Sequence, residues 1–178
     1  LMLLAQLGAL AIGVPLAIAC AVRSGGPFDR FMTGSAFAML SVPTFLSAIL
    51  LIYLFAVELG WLPSNGRGDT VTIAGIPGSF LTADGLAHLA MPALNLALFK
   101  LSLLIRLTRA STREAALQDY VKFARAKGLG PARAVGVHIL KNIMIPIVTV
   151  IGLELGSVIA FAIITESIFA WPGTGKLL

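Results

Sequence analysis

The sequence predicts an all-α membrane protein, a polytopic bundle of transmembrane helices. Three observations predict it. Of the 178 residues, 58% are hydrophobic and only 12% are charged, whereas a soluble domain carries about a quarter charged residues. The mean hydropathy is +0.96, so too few polar groups exist to cover a water-facing surface. Four stretches are also apolar enough to span a hydrocarbon core about 30 Å thick, which takes about 20 residues of helix.

The first span is residues 1–22, whose one strongly polar side chain is Gln6. A secretory leader would show a basic start and a cleavage site. Neither is there, so this is read as a true span, and a chain that opens inside it without Met is read as a fragment. Cys20, the single cysteine, lies in this span and rules out an internal disulfide. The second span, 31–57, holds no charge. The third, 89–109, is interrupted by Lys100, whose stem can snorkel to the head groups. The fourth, 142–165, contains Glu154. Pro15, Pro43, Pro92 and Pro146 fall one to a span and mark candidate kinks.

Charge orients these spans. Nine of the thirteen Lys and Arg lie between Lys100 and Lys141, against two acids, Glu114 and Asp119. The connection RSGGPFDR adds Arg23 and Arg30. The loop 58–88 instead has Arg67 against three acids, with turn signals GWLP, SNGRG and GIPG. Basic loops stay in the cytoplasm, which places 58–88 outside and 110–141 inside. Trp61 and Trp171 fit interfacial anchors at the outer side.

The inner loop holds more than charge. Residues 111–127 read as a helix, with Ser111 as cap and Glu114 at the capping-box spacing. On it Ala116, Tyr120, Phe123, Ala124 and Lys127 fall on one side. Gly128 supplies a left-handed stop, and Gly130 with Pro131 starts a second helix. The expectation is a stiff helix-turn-helix elbow with exposed aromatics beside cations, as in a protein interface.

The stretch DYVKFARAKGLGPARAVGVHILKNIMIPIVTVIG resembles the cytoplasmic loop of the permease subunits of ABC importers, in the dipeptide/oligopeptide/nickel branch. SVPTFLSAILLIYLFAVELGWLPSNGRG, residues 41–68, and ESIFAWPGTGKLL, residues 166–178, are similar to further segments of that branch. Most of the chain is covered. The literal Glu-Ala-Ala at 114–116 is not the family's motif. Counting back six residues from Gly128 puts that pattern on Lys122, Phe123 and Ala124, where the last Ala matches. His138, Ile139, Leu140 and Lys141 depart from the general Ile-x-Leu-Pro ending and resemble the peptide branch's own form.

The resemblance implies the type I importer permease fold, with 1–178 a single permease domain lacking one span before residue 1 and one after Leu178. It implies a multi-pass protein of a bacterial or archaeal inner membrane that forms the path for peptides or a nickel chelate. The permease itself is then not catalytic and holds no cofactor, because a partner subunit binds and hydrolyses ATP. The other implied partners are a second homologous permease, an extracytoplasmic solute-binding protein and membrane lipid. Tyr120, Phe123, Ala124, Lys127, Gly128, Leu129 and His138 become candidates for docking the ATP-binding subunit; the alternative for them is packing against the protein's own spans. Glu154 either lines the cargo path, stays protonated or pairs with a basic residue of a partner.

Other classes fare worse. A membrane hydrolase wants a nucleophile–base or metal-ligand constellation, and the two histidines, His88 and His138, fall on opposite sides of the expected topology. PGTGK lacks the first Gly and the Ser or Thr of a P-loop, because Ala170 and Leu177 stand there. The basic loop lies between spans, so nucleic acid is not an expected partner. An ion-gradient-driven secondary transporter of small solutes is the alternative, and it often shows internal repeats. None is visible here.

Overall fold

The computed structural model describes residues 2–73, 76–130 and 133–173. Helix α1, Met2–Val22, runs through Pro15 and stops before Gly25, whose φ is +86°. Pro27 opens α2, Pro27–Ser41. A proline fits a first helical position because the N–H it lacks would have no partner there.

The span expected over 31–57, with Pro43 as a candidate kink, is broken there outright. Helix α2 ends at Ser41, Pro43 is extended (φ −58°, ψ 141°), and α3, Thr44–Leu51, follows and winds on as a π-helix, Ile52–Glu58. Proline has no N–H to donate and pushes the residue before it out of the helical region. At Pro43 this gives a break; Pro92 and Pro146 sit inside helices that continue.

Helix α4, Ala83–Ala116, has 34 residues, about 51 Å at 1.5 Å per residue. It absorbs the end of the expected outer loop and the start of the inner one. Helix α5 is Asp119–Ala126, a π-helical turn covers Ala134–Ile139, and α6 is Leu140–Ile168. Among the described residues three segments are long and apolar enough to cross a membrane: Leu3–Val22, Ala83–Ala116 and Ala134–Glu154. A fourth is present if the broken pair counts as one span.

Packing forms two compact units. One comprises Leu1–Gly8, Ser41–Lys100 and Gly156–Leu178. Ala48, Met91 and Phe169 are buried in it beside Phe55 and Leu62. The Ser47 hydroxyl donates to Asn95 Oδ1 (2.6 Å), and Asn95 Nδ2 donates to Thr165 Oγ1 (3.1 Å), which links α3, α4 and α6. Such pairing offsets the cost of polar groups that leave water. The outer segment is more ordered than its turn signals imply. Strands β1, Val71–Ile73, and β2, Ile76–Gly78, pair antiparallel with Val71 opposite Gly78. The Gly66 N–H donates to the Phe169 carbonyl (3.0 Å). Trp61 is 70% exposed, but Trp171 is only 9% exposed and is a packing residue. Lys100 is buried and does not snorkel.

The other unit comprises Ala9–Leu40 and Leu101–Leu155. Ala9, Leu104, Ala115, Val121, Ile139, Ile143 and Ile147 form its main core. Gly13 lets α1 approach α4 closely, since a Cβ there would stand 3.0 Å from Leu101 Cδ1. Asp29, 2% exposed, receives hydrogen bonds from Arg109 Nε and Nη2 (2.8 Å for the latter) and from the Gly25 N–H (2.9 Å). This forked pair ties the first turn of α2 to α4. A two-pronged guanidinium–carboxylate contact is the strong form of ion pair.

Candidate coupling site

The elbow is built differently from the single helix expected over 111–127. Ser111 lies inside α4 and caps nothing. The chain breaks at Leu117–Gln118, where Gln118 is extended (φ −69°, ψ 150°), and α5 restarts at Asp119. That break resets the helical phase. The buried face of α5 is therefore Val121 and Ala124, three residues apart. Asp119 favours the N-terminus and Arg125 the C-terminus by the helix dipole. Lys122 Nζ donates to Asp119 (2.8 Å), an exposed pair that contributes little.

The C-terminal stop is a complete Schellman motif. Gly128 has φ +84°, its N–H donates to the Arg125 carbonyl (2.9 Å), and the Leu129 N–H donates to the Ala124 carbonyl (3.2 Å). These are the two reverse bonds that close a helix through a left-handed residue. A Cβ on Gly128 would meet nothing within 4 Å. Glycine is needed there for backbone conformation and not for space.

Inward, Val121 is fully buried against Ala115, Leu104 and Ile139. Val135 and Leu140 pack onto the same cluster. The elbow is thus glued to the ends of α4 and α6 by an apolar seam. Outward, Tyr120 is 37% and Phe123 63% exposed. The Lys127 ammonium stands 4.5 Å from the Phe123 ring centroid, a cation–π contact worth about 0.5–1 kcal/mol when exposed.

The candidate docking residues separate accordingly. Tyr120, Phe123, Lys127 and Gly128 are exposed, while Leu129 and His138 are half-buried. Ala124 is buried on the inward face of α5, a correction to its place in the outward set. The phase shift at 117–118 is the reason. The His138 carbonyl accepts from Asn142 Nδ2 (2.8 Å). The expectation that Pro131 starts the second helix falls outside the described residues. Glu154, half-buried in α6, is fifteen residues beyond Ile139, about 22 Å along the helix, and is not part of the elbow.

Compared with known proteins, residues 13–178 match the family described as binding-protein-dependent transport system inner membrane component. The chain belongs to this family. It is 40% identical to the di/tripeptide transport system permease protein DppB of Pseudomonas aeruginosa, over 100% of this chain and 56% of that protein. It is 39% identical to the dipeptide transport system permease protein DppB of Escherichia coli, over 98% of this chain and 56% of that one. It is 36% identical to the oligopeptide transport system permease protein AppB of Bacillus subtilis, over 99% and 54%. The chain spans about half the length of these curated relatives.

The matching family is one of inner-membrane transport components. Among the described residues no group of three or more His, Cys, Asp or Glu is placed to hold a metal. Two features of the unit that carries the elbow went unread in the sequence. A single helix over 111–127 does not single out Val121, which becomes the inward residue only because α5 restarts at Asp119. Asp29 sits in a connection whose charge is mainly basic, although a lone acid beside Pro27 at a helix start is itself a signal.

Proposed function

We propose that this chain is the core of a permease subunit of an ATP-driven importer, that its cargo is di-, tri- or oligopeptides, and that the elbow couples it to a separate ATP-hydrolysing subunit. The identity to three peptide-system permeases across the chain supports the cargo class. The single observation that carries the coupling role is the outward pair Tyr120 and Phe123 on a helix whose other face is locked into the core. An ATPase subunit that grips this face moves α5, and the seam through Val121 and Ile139 passes the displacement to α4 and α6. The movement would be lost in a slack loop; the Schellman stop and the seam prevent that. Catalysis of ATP hydrolysis, and binding of the nucleotide, rest with the partner. A second permease and an extracytoplasmic binding protein complete the assembly. Glu154, in a span where a carboxylate is costly unless it faces a polar path or a partner, is assigned to the cargo path and to the peptide's amino group.

The test is uptake of labelled di- and tripeptides into proteoliposomes that hold the full transporter with its binding protein. Uptake is expected to need ATP and to persist when ion gradients are collapsed. Uptake driven by a gradient without ATP would establish the secondary-transporter alternative. Glu154→Gln is expected to weaken uptake of peptides with a free amino terminus more than of N-acetylated ones; equal loss would remove it from the path.

A further inference from the structure

In the unit that carries the elbow, α2 and α4 enclose a small groove of about 110 Å³, lined by Thr33, Ala36 and Phe37 from α2 and by Ile105, Arg106 and Arg109 from α4. One end is polar and the other apolar. At the polar end Arg109 is committed to Asp29, whose charge it balances. Arg106, one turn short of it, is exposed and has no hydrogen bond or ion pair among the described residues. Arg30, next to Asp29 in sequence, adds a further positive charge at this end. At the apolar end Ala36 packs against Ile105, and Phe37 is 53% exposed.

We propose that this groove binds the phosphodiester of an anionic glycerophospholipid, with Arg106 as its main ligand and an acyl chain laid along Phe37. Charge complementarity and the order of groups carry it. An unpartnered guanidinium suits a phosphate, and the apolar wall begins where the glycerol would turn into chain. Basic pockets between membrane helices on the cytoplasmic side bind anionic head groups in this manner, and the positive-inside orientation puts this end there. The occupancy would brace the start of α2 against α4 near the end that leads into the elbow.

The experiment uses the intact transporter in neutral detergent, titrated with phosphatidylglycerol or phosphatidylcholine and followed by native mass spectrometry and thermal shift. The wild type is expected to bind phosphatidylglycerol preferentially. Arg106→Gln is expected to lose about fivefold in that affinity, the value of one cation at an anionic surface. Arg113→Gln, on the same helix outside the groove, is expected to leave it unchanged. Phe37→Ala keeps every charge and is expected to weaken phosphatidylglycerol binding too. Undiminished binding by Arg106→Gln, an equal loss in Arg113→Gln, or displacement of the lipid by inorganic phosphate would each overturn the proposal. So would a cysteine at Phe37 that crosslinks to another protein chain in a complex that retains no lipid.

Discussion

At the residue scale, backbone geometry and one buried charge decide most. Gly128 sits at φ +84° with open space around its missing side chain. Gly128→Ala should therefore cost about 1–2 kcal/mol through backbone strain alone, whereas Gly128→Asn, which tolerates that conformation, should cost less. Cargo-stimulated ATPase activity of reconstituted complexes is expected to fall in the order Gly, Asn, Ala, with the subunit still inserted. Normal coupling in the Ala variant would count against a stiff elbow. Asp29 makes a different demand. Its removal strands the Arg109 guanidinium in a largely apolar setting, and breaking a buried pair costs about 3–5 kcal/mol. Because Arg109 keeps 21% of its side chain exposed, Asp29→Asn should cost about 2–4 kcal/mol, read by denaturation in detergent. The double variant with Arg109→Gln should cost less than the sum of the singles, since each partner's loss already includes the pair. Gly128 was legible from sequence because one residue type answers one conformational need. The Asp29–Arg109 pair was not, since eighty positions separate its members and spacing carries no signal over that distance.

At the element scale, α5 is a short helix that eight residues alone would not hold in water. It is stable only because Val121 joins the core made by α4 and α6, with Ala124 buried on the same face. Val121→Asn should weaken that attachment by about 1–3 kcal/mol, the cost of placing an unpaired amide in an apolar site. Amide hydrogen exchange across 119–126 should rise while exchange in α6 stays slow. Unchanged protection in α5 would show that the seam is not what holds it. Composition and hydropathy made the spanning segments readable, since membrane helices are selected by length and apolarity, two properties any window displays. Boundaries fared worse for physical reasons. The α4 helix runs past the expected ends because charged residues are compatible with helix beyond the bilayer. The break at Pro43 needed the proline to be weighed as a stop and not a kink. The phase reset at Leu117–Gln118 has no glycine or proline to announce it, and it alone moved Ala124 from the outer face to the inner one.

At the scale of the whole molecule, the membrane class and the family follow from properties spread along the entire chain, and they were legible for that reason. The coupling role rests on a smaller feature: one helix face fixed to the spans and its opposite face left for a partner. The most direct measurement is site-specific crosslinking in the intact transporter in membrane vesicles, with a cysteine in place of Phe123 and, as control, one in place of Val121. Phe123→Cys should crosslink to the ATP-hydrolysing subunit with a yield that changes when nucleotide is added. Val121→Cys, facing the core, should not crosslink. If Phe123→Cys never reaches a nucleotide-hydrolysing protein, or if the buried control crosslinks equally well, the elbow is not the handle through which this permease is driven.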